Sequence, residues 1–241
     1  MLAVPASVIV TFPHHNKYRI THLTFGGDPI IFNHSLKGVY MRDNPVVNYA
    51  KINMETNSQQ YNVRDIFKTN TYEQNVTICQ NDRLPFSVGL ISITGELNVG
   101  MMIRSACLMG AENVYIFGRN KFDKRSTVGA EKYINIVQYT YDDPLHADEL
   151  ILHQLSLMPH SVVLCEQGGW ELGQDNSFLY DTFKQSPMFV FGSESHGIPE
   201  CITESHKFPR LSIPQRGVLR SFNVSAAMAI MCWDYLKERH L

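Results

Sequence analysis

The chain has 241 residues, of which 44% are apolar and 18% charged, and its formal net charge is −2. This composition allows a large buried core and excludes a mainly disordered chain, a collagen-like repeat and a coiled coil. No apolar run reaches the roughly 20 residues of a membrane-spanning helix, and the near-neutral charge gives no overall attraction to nucleic acid.

Residues 1–80 form an N-terminal region without a recognisable chemical motif. Short β-like runs at residues 7–12, 22–25 and 38–41 are separated by Gly, Pro, Asn and Asp, which are typical of turns. Residues 63–68 predict a short helix. We expect a boundary near residue 80, followed by one larger domain over residues 81–241.

From residue 84 onward, apolar runs alternate with segments of helical spacing. Strands are predicted over residues 86–93, 114–118, 161–165, 188–192 and, as a strand or loop, 208–213. Helices are predicted over residues 99–109, 147–157, 200–205 and 221–239. Gly110 is expected to end the first of these helices and Ser221 to cap the last. The alternation predicts an α/β fold with a mostly parallel sheet that is covered by helices on both faces.

Polar residues follow the predicted strands, at the edge where such sheets bind ligands. Asn98 begins a helix and can cap its free backbone N–H groups, while Arg104 lies in an apolar helix and is costly to bury unpaired. We expect Arg104 to face a cleft, a carboxylate or a phosphate, although a surface position fits this stretch equally well. Gly192 and Gly197 bracket a polar turn that contains Glu194. Each feature alone is compatible with an ordinary loop or helix cap.

The basic residues include two local groups. Arg119, Lys121, Lys124 and Arg125 lie within seven residues, and Arg210, Arg216 and Arg220 lie within eleven. Because the net charge is near zero, any contact with nucleic acid would depend on such patches.

Three segments form an ordered set of motifs. They read Asn98-x5-Arg104, then Phe191-Gly192-Ser193-Glu194-x2-Gly197-Ile198-Pro199, then Ile213-Pro214-Gln215-x-Gly217-x3-Ser221-Phe222-Asn223-Val224-Ser225. Together they resemble the SpoU/TrmH family of S-adenosylmethionine-dependent RNA ribose 2′-O-methyltransferases, in the SPOUT superfamily. The resemblance covers residues 84–241 and is strongest to tRNA guanosine-18 2′-O-methyltransferase domains.

The resemblance implies a SPOUT-type α/β fold with a C-terminal trefoil knot, a homodimer whose active sites are completed by the partner chain, and S-adenosylmethionine as methyl donor without a metal. The donor pocket would include Leu164, Cys165, Glu166, Gly192, Ile213, Leu219, Ser221 and Phe222. Phe222 stands where the family more often has Leu, which makes the wall against the donor's adenine bulkier.

The resemblance also implies which residues carry the reaction. They are Arg104, Asn98, Glu194, Ser221 and Asn223. A ribose 2′-hydroxyl is a poor nucleophile whose proton has to be accepted. Since a guanidinium stays protonated, we expect Arg104 to orient the hydroxyl and an RNA phosphate, with the phosphate as proton acceptor. Asn98 and Glu194 would position Arg104 and the donor pocket, and Ser221 and Asn223 would bond substrate or donor.

The RNA would be held by basic side chains. These are Arg119, Lys121, Lys124, Arg125, Lys237 and Arg239. The expected substrate is tRNA at guanosine 18; rRNA methylation and a non-catalytic RNA-binding role are alternatives. An unrelated nucleotide-binding enzyme fits less well, because no Gly-x-Gly-x-x-Gly or Gly-x4-Gly-Lys segment occurs.

Two further expectations concern the N-terminal region and the compartment. Residues 1–80 would bind RNA or support the dimer. The five cysteines are scattered without a CxxC pair, and the start of the chain resembles neither a signal peptide nor a transit peptide. These features favour a cytoplasmic protein that does not associate with a membrane.

Overall fold

The computed structural model describes residues 63–118, 121–141, 143–173, 180 and 186–238, together with the strand backbone at 24–25 and 28–29. The predicted runs at residues 7–12 and 38–41, and the basic residues Arg119 and Arg239, lie outside the described residues. In the N-terminal region, β1 (Thr24–Phe25) pairs with β2 (Asp28–Pro29) as a short antiparallel ribbon.

The larger domain is built on a six-stranded sheet in which every pairing is parallel. The strands are β3 (Leu84–Ile91), β4 (Ala111–Phe117), β5 (Asn135–Tyr139), β6 (Ser161–Glu171), β7 (Pro187–Phe191) and β8 (Arg210–Ser212). They are arranged in the order β5-β4-β3-β7-β6-β8. The predicted parallel α/β sheet is therefore confirmed.

Helices cover both faces of this sheet. They are α1 (Tyr72–Asn81), α2 (Glu96–Leu108), α3 (Lys124–Thr127), α4 (Ala147–Ser156), α5 (Glu200–Thr203) and α6 (Val224–Glu238), with 3-10 turns at Asp65–Phe67 and Ala130–Lys132. The core on one face includes α2 and α6, and the core on the other includes α4 and α5. Among the described residues, no helix is both long and apolar enough to cross a membrane.

Side chains along each strand alternate between these two cores, as the pleat of a strand requires. In β7, Phe189 and Phe191 belong to the core under α2 and α6, whereas Met188 and Val190 belong to the core under α4 and α5. All four side chains are buried. A strand buried on both faces is apolar at every position, and this explains the unbroken apolar run in the sequence.

The last helix begins at Val224 and not at the predicted cap Ser221. The reason is that the side-chain oxygen of Asn223 accepts the backbone N–H groups of Ser225 at 3.0 Å and Ala226 at 3.4 Å. Asn223 is therefore the residue that satisfies the free N–H groups of the first turn. Ser221 lies in the preceding loop.

Two other boundaries depend on glycine. Gly110 has φ +76° and follows the end of α2 as predicted, because such a conformation is difficult for other residues. The strand β6 continues to Glu171, six residues beyond its predicted end. It bulges and then pairs again with β8, so that Cys165 and Trp170 both lie opposite Leu211. Gly169 allows this, since a Cβ there would lie 2.3 Å from a β8 carbonyl oxygen.

Candidate functional site

A cleft of about 190 Å³ lies at the carboxyl ends of β6, β7 and β8. Its lining consists of residues 165–167, 191–197, Ser212, Ile213, Gln215, 220–222, Val224, Ala227 and Met231. Six of the eight residues expected to bind a donor are among them, namely Cys165, Glu166, Gly192, Ile213, Ser221 and Phe222. Leu164 is buried and Leu219 is exposed, and neither belongs to the lining.

The turn after β7 forms one wall of the cleft and is closed by the backbone. Ser193 and Gly197 exchange two backbone hydrogen bonds, of 3.0 and 2.9 Å. A Cβ on Gly192 would lie 2.1 Å from the carbonyl carbon of Gly197, so only glycine fits there. The wall therefore presents backbone atoms rather than side chains to a ligand.

Glu166 ties this turn to the end of β6. Its carboxylate accepts the backbone N–H of Ile198 at 3.0 Å and that of Gln167 at 3.0 Å. Gly197, with φ +70°, gives the carboxylate room, since a Cβ there would lie 2.4 Å from it. Two walls of the cleft are thus held together by one side chain.

A chain of hydrogen bonds joins the three sequence motifs. The Glu194 carboxylate accepts the hydroxyl of Thr94 at 3.2 Å and the side-chain amide of Asn98. The oxygen of Asn98 in turn accepts the side-chain N–H of Asn223 at 3.1 Å. Contrary to the prediction, Asn98 does not cap its helix, because α2 begins at Glu96 and Asn98 lies inside it. Its side chain instead bonds to residues 96 and 125 positions away.

Arg104 is exposed and does not line the cleft. It forms no hydrogen bond or ion pair within the described residues, and the expected contact with Asn98 and Glu194 is not made in one chain. Its helix face also carries Leu97, Met101 and Leu108, which are 59%, 48% and 74% exposed. Arg104 thus lies on an apolar surface stripe.

The helix beside this stripe is α6, which is exposed on one side as well. Ile230 is 38% exposed and Trp233 is 59% exposed, and α2 and α6 contact each other. Exposed apolar side chains on two helices that contact each other are typical of surfaces that bind a protein.

The predicted RNA-binding residues that are described lie in two places. Lys121 and Lys124 are exposed and form no ion pair within the described residues. Arg125 pairs with Asp123 at 2.6 Å, and this hydrogen bond lowers the pKa of the carboxyl. Lys237, on α6, pairs with Asp234 at 2.7 Å.

One contact at the cleft was not predicted from the sequence. The side-chain N–H of Gln167 donates to the backbone carbonyl of Arg220 at 2.6 Å. It joins the end of β6 to the loop before α6, and Arg220 itself lines the cleft. The third motif and the local group of arginines had marked this loop, but neither predicted this contact. Within the described residues, no group of three or more His, Cys, Asp or Glu side chains could hold a metal ion.

Comparisons with known proteins agree on one family. The model described as the SpoU rRNA Methylase family matches residues 85–233. The 23S rRNA (guanosine-2′-O-)-methyltransferase RlmB of Yersinia pestis is 25% identical over 181 residues, which are 70% of this chain and 67% of RlmB. The tRNA (guanosine(18)-2′-O)-methyltransferase TARBP1 of Mus musculus is 23% identical over 148 residues, which are 60% of this chain but only 9% of TARBP1.

A solved structure shares the fold. The AdoMet-bound rRNA methyltransferase from Sinorhizobium meliloti aligns with a TM-score of 0.50 and 22% identity, over 65% of this chain and 56% of that one. The chain thus spans little more than half the length of this structural relative.

Proposed function

The chain belongs to the SpoU rRNA methylase family, whose matched relatives are RNA 2′-O-methyltransferases, and we propose that it methylates a ribose 2′-hydroxyl of RNA with S-adenosylmethionine as donor. The observation that carries this proposal is the hydrogen-bonded chain Glu194–Asn98–Asn223, which joins all three family motifs beside the cleft. Such a link makes the three motifs parts of one site.

The cleft fits a nucleoside-bearing donor. Phe191, Ile213, Phe222 and Met231 give it apolar walls, and the turn at Gly192 supplies backbone groups for the polar edge of an adenine. The donor, when bound, supplies a methyl group on a positively charged sulfur. The chain's own contribution is to hold the acceptor ribose in line and to keep the three walls fixed.

The proton of the 2′-hydroxyl is the remaining requirement. A guanidinium is a poor proton acceptor, so the proposed role of Arg104 is to orient the hydroxyl and a neighbouring RNA phosphate, and the phosphate accepts the proton. Glu166 and Glu194 already accept hydrogen bonds from the protein, which makes them positioning groups rather than bases.

Arg104 does not line the cleft of its own chain, and we propose that a second copy supplies it. We propose a homodimer that buries the apolar stripe of α2, at Leu97, Met101 and Leu108, together with Ile230 and Trp233 of α6. Burial of these side chains would place Arg104 between the two copies, where each arginine completes the other copy's cleft.

The dimer is tested by sedimentation equilibrium. Trp233→Glu places a charge in the proposed interface and should give monomers. The matched control is Leu157→Glu, since Leu157 is 49% exposed at the end of α4, on the opposite face of the sheet. Equal mass for both variants and the wild type would rule out this interface.

Sharing of the active site is tested by mixing two inactive variants. Arg104→Ala and Gly192→Ala protomers, combined as a hybrid dimer, would restore one intact cleft if Arg104 acts across the interface. If Arg104 acts within its own chain, the hybrid stays inactive.

The activity is tested by transfer of labelled methyl to tRNA and rRNA, followed by mapping of the modified ribose. We propose tRNA, at guanosine 18, as the substrate, and rRNA as the second candidate. Arg104→Ala should abolish transfer while donor binding persists. Lys207→Ala is the control, because Lys207 is exposed, does not line the cleft and is not among the residues proposed to hold RNA.

A non-catalytic RNA-binding protein is the second candidate function. It would bind RNA and yet transfer no methyl to either RNA. Wild-type turnover by Arg104→Ala would contradict the role proposed for this arginine.

The C-terminal segment is proposed to form a trefoil knot, as in the SPOUT superfamily. Pulling the chain by its two ends tests this, because the tightened knot holds several residues. The fully extended length of a knotted chain is therefore shorter than that of an unknotted chain by those residues. Full contour length would exclude the knot.

The N-terminal region is proposed to bind RNA or support the dimer. The hydroxyl of Tyr72 donates to the carbonyl of Lys132 at 3.1 Å, so α1 packs on the larger domain. A variant starting at residue 63 should therefore fold and still bind donor, with weaker RNA binding or dimerisation.

Because all five cysteines are unpaired, we propose a reducing compartment, the cytoplasm.

A further inference from the structure

We propose that Arg220 forms a phosphate-binding subsite for the acceptor RNA at the mouth of the cleft. This inference rests on the proposed function and adds a contact to the basic residues already expected to hold RNA. Arg220 lines the cleft and is exposed to solvent. It is therefore accessible to a large ligand that approaches from outside.

The charge of Arg220 has no partner within the described part of the chain. No carboxylate pairs with it. The two carboxylates in the cleft lining accept hydrogen bonds elsewhere, Glu166 from Ile198 and Glu194 from Thr94 and Asn98. The cleft thus carries a cation that is available to pair with an anionic ligand.

The backbone of Arg220 is fixed even though its loop is exposed. The Gln167 side chain holds the Arg220 carbonyl at 2.6 Å. Next to it, Val218 is fully exposed and Leu219 is 81% exposed, so the loop stands away from the core. An arginine on an anchored loop loses less conformational freedom on binding than one on a free loop.

The chemistry of the acceptor favours a phosphate. In RNA, the 2′-oxygen and the 3′-phosphate are carried by neighbouring carbons of the same ribose. A nucleotide whose 2′-oxygen enters the cleft therefore brings a phosphate to its mouth. The planar guanidinium fork matches phosphate oxygens in a bidentate manner.

The test measures binding of bulk tRNA to the full-length protein as a function of salt concentration. Arg220→Ala should weaken binding roughly threefold to tenfold at low salt and make the slope of log affinity against log salt shallower by about one. Arg220→Lys should keep most of the slope and lose part of the affinity. Binding of S-adenosylhomocysteine should stay unchanged in both variants.

Arg216→Ala is the matched control, because Arg216 lies in the same exposed loop but outside the cleft lining. An equal loss in both alanine variants would indicate diffuse attraction and overturn the subsite. Unchanged RNA binding by Arg220→Ala would overturn it as well.

A donor-binding role is the competing outcome. If Arg220→Ala weakens S-adenosylhomocysteine but not its decarboxylated analogue, Arg220 binds the donor's carboxylate and the proposal is wrong. If the salt slope changes as expected while the wild type transfers no methyl, the proposed function fails and the phosphate subsite stands.

Discussion

Gly192→Ala tests whether the turn after β7 is built as tightly as its geometry indicates. A Cβ at this position would lie 2.1 Å from the carbonyl carbon of Gly197 and 2.2 Å from the amide nitrogen of Ile198. Ordinary contacts between such atoms are about 3.5–4.0 Å. Both neighbours are backbone atoms, so no side-chain rotation can relieve the overlap.

The size of the destabilisation follows from the contacts that have to break. Relief of the overlap separates residue 192 from Gly197 and Ile198, which loses the two backbone hydrogen bonds between Ser193 and Gly197 and the contact of Ile198 with Glu166. Hydrogen bonds are worth about 0.5–1.5 kcal/mol each, and more when one partner is charged. We expect Gly192→Ala to lower the free energy of unfolding by about 2–4 kcal/mol.

The assay is urea denaturation, combined with calorimetric binding of S-adenosylhomocysteine. Donor affinity should fall at least about tenfold, because the displaced turn is a wall of the cleft. Gly217→Ala is the control: a Cβ there meets nothing within 4 Å, and its effect should stay below about 0.5 kcal/mol. An unchanged urea midpoint and donor affinity in Gly192→Ala would refute the reasoning.

Three further predictions follow from single contacts. Asn223→Ala removes the cap of α6 and should cost about 1 kcal/mol in thermal unfolding, whereas Ser221→Ala should leave stability unchanged. The hydrogen bond between Asp143 and His146 lowers the pKa of the carboxyl and raises that of the imidazole. The stabilisation from this hydrogen bond is lost as pH falls through the pKa of the Asp143 carboxyl or rises through the pKa of the His146 imidazole. The difference in melting temperature between wild type and Asp143→Asn should therefore be largest near about pH 5.5 and vanish by about pH 9. Burial raises the pKa of Cys232 to about 12, so an aromatic disulfide reagent should leave it unmodified at about pH 8 until urea is added.

The architecture could be predicted because its signals are local. Apolar runs such as Met188–Val190 mark buried strands, and Gly110 marks a helix end. The four-residue helix α3 was missed, since so short a segment shows no helical period. The end of β6 was missed because its second pairing with β8 depends on Gly169 fitting against a distant strand.

The sequence predicted which residues belong to the site better than it predicted the contacts between them. The family resemblance identified six donor-binding residues that line the cleft, yet not the partners of Asn98, which are 96 and 125 positions away. Gln167 was missed for the same reason, because it donates a hydrogen bond to a backbone carbonyl 53 residues later. Every residue has such a carbonyl, so the sequence does not indicate which one is bonded. The sequence fitted a cleft position and a surface position of Arg104 equally well, and the structure shows that Arg104 is exposed.

The central pairing of β3 with β7 has a consequence for how the molecule comes to be folded. Ser87 lies opposite Met188, so about 100 residues must be made and closed into a loop before this pairing forms. During synthesis, β3, β4 and β5 can associate early, while β6, β7 and β8 emerge later. Asn98 belongs to the early half, and Glu194 and Asn223 belong to the late half. A nascent chain therefore acquires its ligand cleft only when the late half pairs with the early half. Ligand affinity measured during refolding would report when this pairing has formed.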